Sequence, residues 1–476
     1  MKLKPELIWI KSNQHKQKDI DAYNNLVASD KYYRPVFHLA PPNGLMNDPN
    51  GLLFKDGVHH IHYQWSPLQP YHGFKHWLYV TTSDFVNYHD HGESIIPDHP
   101  KEAGGAFSGS AYDFGDKVKI YYTGNNEDGN GNVIEEVQIA ADFVNGKIIN
   151  KEVVVENDFE RFTAHVRDPK IFEYQGKKYL VFGAQCRDTK KGGLVFYEMQ
   201  TPEKFTYFKT LTSSLNVDYG HMWECPNLDP LEDKILFMIS SEGWFKNDDK
   251  YELNSTRNVV YTAIKEFDFE NNKLKEEFEM VTMDYGYDFY APQTYWVDKK
   301  LVLLAWFGNV DVQYPTDQFA WHSIMTIPRE LSWNKNVLVQ KPLAEYCKNI
   351  LTNKTKKTVT EIKDKQVMHL KFELVGDLEI KISNDKNEFM NIKFDSKEIS
   401  MDRTHQSEPV DSTCEAPRYA IRKIDKQFVE MFIDRSSIEM FADDYQTIFT
   451  SRFFIRDWNK IEFSKEINVE ISDVNR

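Results

Sequence analysis

From about residue 31 the chain settles into short apolar runs of β type broken by Asp, Gly and Asn, and one unit recurs within them. The unit is a polar opening, an apolar run, an acidic or glycine turn, and a second apolar run. It reads DPNGLLFKDGVHHIHYQ from Asp48, SGSAYDFGDKVKIYYTG from Ser108 and DPKIFEYQGKKYLVFGA from Asp168. It returns as ECPNLDPLEDKILFMIS from Glu224 and APQTYWVDKKLVLLAWFG from Ala291. The copies start about 55 to 70 residues apart, more than the roughly 40 to 50 usual for propeller repeats, which leaves room for long loops. The fold class predicted is all-β, with a five-bladed β-propeller over residues 31–342 as the catalytic domain.

The two ends read differently. Residues 1–30 are polar, and Leu7, Ile8, Ile10, Ile20, Tyr23 and Leu26 are spaced for one or two short helices, an N-terminal lead-in. Between Asn353 and Arg476 there is one glycine, Gly376, and one tryptophan, Trp458. The text there alternates with period two in HLKFELV, LEIKIS, FVEMFID and SIEMFAD, which predicts a C-terminal β-sandwich over residues 353–476 with one wet face per sheet.

Charge and cysteine usage narrow the function. The formal net charge of -15 is spread along all 476 residues, which argues against nucleic acid or an anionic membrane as partner. Cys186, Cys225, Cys347 and Cys414 are widely spaced and form no CxxC pair, so a reduced compartment is the simplest reading. The first residues lack the apolar core of a signal peptide and no later run is long enough to span a membrane, so the expected location is the cytoplasm. Adjacent and alternate histidines such as His59, His60 and His62 seldom complete a metal site without further ligands, and no metal is expected. Aromatic residues at 14% suit sugar-binding walls, though packed sheets use them as well.

If the five openings occupy equivalent places on innermost strands, Asp48, Asp168 and Glu224 converge on the propeller axis. Three carboxylates at the mouth of a polar funnel suit glycosidic cleavage: one attacks the anomeric carbon, one protonates the leaving oxygen, and one steadies an oxocarbenium-like transition state. Each alone has a plainer reading, Asp-Pro-Asn-Gly being a good turn sequence.

At this point the chain resembles a known family. The blocks NDPNG at Asn47–Gly51, FSGSA at Phe107–Ala111, RDPK at Arg167–Lys170 and WECP at Trp223–Pro226 look like the signatures of glycoside hydrolase family 32. Further matches are DFYAPQT from Asp288, MTIPREL from Met325 and IDRSSIEMF from Ile433, so the resemblance runs from about residue 34 to the C-terminus. It implies a five-bladed propeller followed by a β-sandwich and a retaining β-fructofuranosidase without cofactor. It assigns Asp48 as nucleophile, Glu224 as general acid/base, and Asp168 to transition-state stabilisation and fructosyl hydroxyls. It implies a fructosyl pocket lined by Asn47, Gln64, Phe107, Ser108, Arg167, Tyr290 and Trp306. Glu224 must be protonated before attack, so nearby negative charge and partial burial are expected to raise its pKa while Asp48 stays ionised.

The chain departs from the family at Leu45, where many members have Trp, and at His72 to Tyr79, where many read Trp-Gly-Asn-Met-His-Trp-Gly-His. The His-Gly-x-Lys-His-Trp version is similar to that of intracellular members acting on sucrose 6-phosphate. A glucosyl phosphate needs a cation near the outer subsite, with His72, Lys75, Arg187, Lys190, Lys191 and Lys246 as candidates. The expected partner is a small sugar. An intracellular fructosidase for sucrose or short fructo-oligosaccharides is the alternative within enzymes, and a non-catalytic sugar-binding or scaffold propeller the alternative from another class. Oligomeric state is not legible.

Overall fold

In the computed structural model, which describes residues 3–128, 131–215, 217–244, 250–251, 257–310, 312–412 and 415–475, the five recurring units are five antiparallel sheets set round one axis. Their innermost strands are Gly44–Lys55, Gly105–Asp113, Phe162–Tyr174, Met222–Leu231 and Tyr290–Val297, here blades I to V. The ring closes where Trp321–His322 pairs in parallel with the start of blade I's inner strand.

The uninterrupted apolar runs have a physical cause in this ring, because the middle strands of a propeller are buried on both faces. On blade II, Ile120 and Tyr122 pack toward blade I, whereas Tyr121 between them packs toward blade III. On blade IV, Phe237 and Ile239 face blade III while Leu236 and Met238 face blade V. Period two is therefore present, but both sides are apolar.

The sequence ahead of the ring forms two short 3-10 turns and the helix Gln17–Ser29, whose buried Tyr23 receives hydrogen bonds from Lys4 N and Gln69 Nε2. Beyond the ring, a short helix Ala344–Ile350 leads into a ten-stranded sheet folded into a β-sandwich. Its long last strand, Lys460–Val474, turns the corner: its first half pairs with Leu378–Ser383 and its second with Val367–Val375. The fold is thus a five-bladed β-propeller followed by a C-terminal β-sandwich.

The sandwich braces the ring at the connection between blades IV and V. Gly286 lies so close to Thr450 that a Cβ would stand 2.0 Å from its carbonyl oxygen, so only glycine fits. On one side of it Asp284 binds Arg329 and Thr450; on the other Asp288 accepts from Arg403 and from Arg452 N. The start of blade V's inner strand is held from outside the propeller by these contacts. No helix among the described residues is long and apolar enough to cross a membrane.

Candidate active site

Every innermost strand carries one extra residue at the same height. The pairing slips between Met46 and Pro49, Ala106 and Gly109, Arg167 and Lys170, Glu224 and Asn227, and Tyr290 and Gln293, with three steps on the inner strand against two on its neighbour. These are β-bulges, which bend a strand and re-aim its side chains. Asp168, Cys225 and Ala291 sit in them with φ of 69°, 46° and 46°, and each is followed by a proline, which has no N–H to leave unpaired.

The bulges correct the expectation that the three carboxylates are equivalent. Glu224 is the residue before its bulge, Asp168 is the first residue inside, and Asp48 is the second. Three successive heights on three blades direct three carboxyl groups into one space without stacking them in one plane.

That space is a cavity at one end of the axis. Asn47, Asp48, Gln64, His72, Phe107, Ser108, Arg167, Asp168, Glu224, Tyr290 and Trp306 all line it, so the structure brings together the three carboxylates, the expected fructosyl-pocket residues and His72. Lys75, Glu136, His165, Cys225, Glu242 and Arg257 line it as well. Glu136, Glu242 and Arg257 lie on strands outside the innermost ones, where no repeated motif marks them.

Asp48 is held at both oxygens: Ser108 Oγ donates to Oδ2 at 2.5 Å and Asn47 Nδ2 to Oδ1 at 3.1 Å. The thiol of buried Cys225 lies 3.5 Å from Oδ2. Burial raises the Asp48 pKa, with Glu224 adding to the rise and Ser108, Asn47 and Lys75 opposing it.

Asp168 accepts the Cys225 backbone N–H at 2.7 Å, a bond that the left-handed turn at Cys225 makes available. Burial pushes its carboxyl up to about 8, opposed by Arg167 and reinforced by Glu224 and Asp48.

Glu224 departs from expectation. Arg167 donates to its Oε1 through Nε at 3.0 Å and Nη2 at 2.9 Å, and Tyr290 Oη donates to Oε2 at 2.5 Å. Arg257 Nη1 stands 3.6 Å from Oε2. Burial works to raise its pKa, but the two guanidinium groups and the tyrosine outweigh it, and Glu224 is lowered. Burial and its neighbours thus push the Asp168 carboxyl up, while the two guanidinium groups and the tyrosine hold Glu224 down.

Among the cations named from the sequence, Lys75 is buried and points inward at Asn47, Arg187 is exposed with its Nε bound to Phe159 O, and Lys191 pairs with Asp218. Lys190 is exposed, and Lys246 lies outside the described residues. The cation on the cavity wall past Glu224 is Arg257, which also binds Glu242 Oε1 at 3.0 Å.

Comparison with known proteins agrees with this geometry. Residues 38–342 match the N-terminal domain of glycosyl hydrolases family 32 and residues 339–475 match that family's C-terminal domain. A sucrose-6-phosphate hydrolase of Vibrio alginolyticus is 33% identical over 94% of this chain and 91% of its own length. One of Bacillus subtilis is 31% identical over 90% of both. The structure of sucrose-6-phosphate hydrolase from Lactobacillus gasseri superposes with a TM-score of 0.92 at 27% identity, covering 100% of this chain and 99% of that one. A Bombyx mori β-fructofuranosidase mutant in complex with sucrose superposes with a TM-score of 0.83 at 25% identity, covering 97% and 98%. With both of its halves matched and its cavity built on the signature blocks, the chain belongs to glycoside hydrolase family 32.

Proposed function

We propose that this protein is a retaining β-fructofuranosidase that hydrolyses sucrose 6-phosphate to glucose 6-phosphate and fructose. The observation that carries the reading is the contrast between Asp48 and Glu224. Asp48 is fixed by short neutral donors that leave it free to attack, and Glu224 is gripped by cations that stabilise its conjugate base. The names of the relatives supply the substrate.

In this mechanism Asp48 attacks the anomeric carbon of the fructosyl unit while Glu224 gives a proton to the bridging oxygen, releasing glucose 6-phosphate and leaving a fructosyl ester on Asp48. Glu224, now a base, takes a proton from water; the resulting hydroxyl attacks the same carbon, and Asp48 departs as carboxylate. Glu224 enters the first step in its protonated form and regains the proton from water in the second, so the cycle closes, while Asp168 stands beside the developing oxocarbenium charge, where an anion is useful. Phe107 and Trp306 supply apolar walls, and Asn47, Gln64, Ser108 and Arg167 the polar contacts, of a sugar-sized pocket. A phosphorylated sucrose is a substrate met inside the cell, and the proposed location of the reaction is the cytoplasm.

A second reading, plain sucrose, is favoured by one feature: Glu136 and Glu242 stand beside Arg167 and Arg257 and oppose a phosphate dianion. The test is kcat/KM for sucrose 6-phosphate and for sucrose under identical conditions. A large preference for the phosphorylated sugar supports the first reading, and equal or better use of sucrose supports the second.

A further inference from the structure

Lys75 is a buried cation with an unusual set of partners. Its backbone is pinned between blades I and II, where its carbonyl accepts from Ala106 N at 2.9 Å at the start of the strand that carries Ser108. Its side chain is 4% exposed and reaches into the cavity, where Nζ donates to Asn47 Oδ1 at 2.9 Å. Among the described residues Lys75 forms no ion pair, although Asp48 and Glu127 lie within electrostatic reach and the His72 imidazole stands on the same side. Desolvating an ammonium without a bonded carboxylate is costly, and an apolar side chain of similar length fills such a space more cheaply. Folding alone does not call for a lysine here.

The hydrogen bonds say what it does. An ammonium only donates, so the atom of Asn47 it touches has to be the carbonyl oxygen, and the other end of the amide is then Nδ2. That Nδ2 faces Asp48 Oδ1 at 3.1 Å and also donates to Gln64 Oε1. Reversing the amide would put its oxygen against the Asp48 carboxylate, two acceptors face to face. We propose that Lys75 is a positioning residue for Asp48, acting through the Asn47 amide: it fixes which end of that amide meets the nucleophile and adds a positive charge within electrostatic reach of it.

The electrostatics agree. Around Asp48 stand Glu224 and Asp168, which disfavour its ionisation, and Lys75, which favours it. Burial pushes the Lys75 ammonium down to about 7 against the pull of Asp48 and Glu127. The proposal rests on Asp48 being the nucleophile, and the experiment separates the two.

Lys75→Met, Lys75→Arg and Asp48→Asn are compared by kcat, KM and the pH profile of kcat/KM. Loss of the charge raises the Asp48 pKa, so in Lys75→Met the acidic limb moves to higher pH. At the same time kcat falls about tenfold or more while KM changes less than about twofold. Lys75→Arg, which keeps charge and donor, returns the limb and recovers most of the turnover. An unmoved acidic limb in Lys75→Met, or equal impairment of the Met and Arg variants without a shift, overturns the proposal while Asp48→Asn remains inactive. An active Asp48→Asn overturns the nucleophile assignment itself. Should Lys75→Met not accumulate as folded protein, Lys75→Gln carries the same test: a raised limb at constant KM supports the role, and an unmoved limb refutes it.

Discussion

Arg167 grips a single oxygen of Glu224 with two of its nitrogens, Nε at 3.0 Å and Nη2 at 2.9 Å, and spreads its remaining donor capacity over Glu136 and Glu242. The carboxyl proposed as the general acid is thus tied to a cation that favours its charged form. The contact holds the carboxyl in place and also fixes the pH above which it ceases to be an acid.

Arg167→Leu is predicted to separate those two effects. With the guanidinium gone, burial is opposed less and the Glu224 pKa rises, so the alkaline limb of the kcat/KM profile moves to higher pH. The height of the profile falls about a hundredfold or more, because the carboxyl is no longer aimed. A pH profile of unchanged shape and lower height would show that Arg167 acts on orientation alone.

Asp168→Asn is predicted to lose turnover and gain stability. A carboxyl raised to about 8 by burial binds its proton more tightly in the folded chain than in the unfolded one, where it titrates near 3.8. Between those pH values the folded state carries the extra proton, so this group's contribution to stability falls as pH rises through the window. The asparagine has no such loss. The variant should melt close to the wild type near pH 4 and above it at pH 8, by on the order of a few kcal/mol, read by thermal unfolding at both pH values.

The part of the site legible in the sequence was the part written on the innermost strands. The turn and repeat chemistry around Asp48, Ser108, Asp168, Glu224 and Ala291 marks the height at which each blade meets the axis. The register was not legible: a bulge adds a residue to each strand, and a motif does not reveal whether its carboxylate falls before, within or at the end of it. The pKa direction of Glu224 was misread for a related reason. Against burial, its strongest lowering influences are Arg167 on blade III and Arg257 on the third strand of blade IV, and the distance of 3.6 Å between Arg257 and Glu224 is made by tertiary packing alone. The sandwich was legible because its strands alternate apolar and polar, whereas the inner-blade runs, apolar on both faces, gave length without orientation.

Arg257→Gln is predicted to affect the two sugars unequally. Arg257 Nη1 stands 3.6 Å from Oε2 of Glu224, the group proposed to protonate the leaving oxygen, and a glucosyl phosphate released on that side would come within its reach. Its loss weakens support of ionised Glu224 for both substrates, so sucrose serves as the control for that effect. For sucrose 6-phosphate, KM should rise by about tenfold or more beyond the change seen with sucrose, as expected for losing a charge-assisted hydrogen bond. Equal changes for both sugars would remove Arg257 as the phosphate contact.

The last prediction concerns the join between propeller and sandwich. Arg329 is fully buried and binds Glu439 Oε2 at 2.5 Å, Asp284 Oδ2 at 3.1 Å and Gln340 Oε1 at 3.0 Å. Glu439 in turn meets His38 Nε2 at 3.1 Å, and the other nitrogen of that ring is 3.0 Å from Asp434, so these buried side chains from both domains depend on one another. Burial works to lower the His38 pKa, but these two carboxylates outweigh it and raise it. Arg329→Met removes one partner and leaves Glu439 and Asp284 without their main counter-charge. The expected loss is about 3 to 5 kcal/mol of unfolding free energy, the range for breaking one side of a buried pair. Because Asp284 belongs to the connection that leads into Tyr290, loosening it should also reach the active site and lower kcat in the folded fraction. The double variant Arg329→Met with Glu439→Gln should recover part of the stability, since the orphaned charge is then absent. Chemical unfolding of the two variants, with kcat measured on protein shown to be folded, checks both halves. A double variant no more stable than the single one would mean that the arginine matters for packing and not for charge.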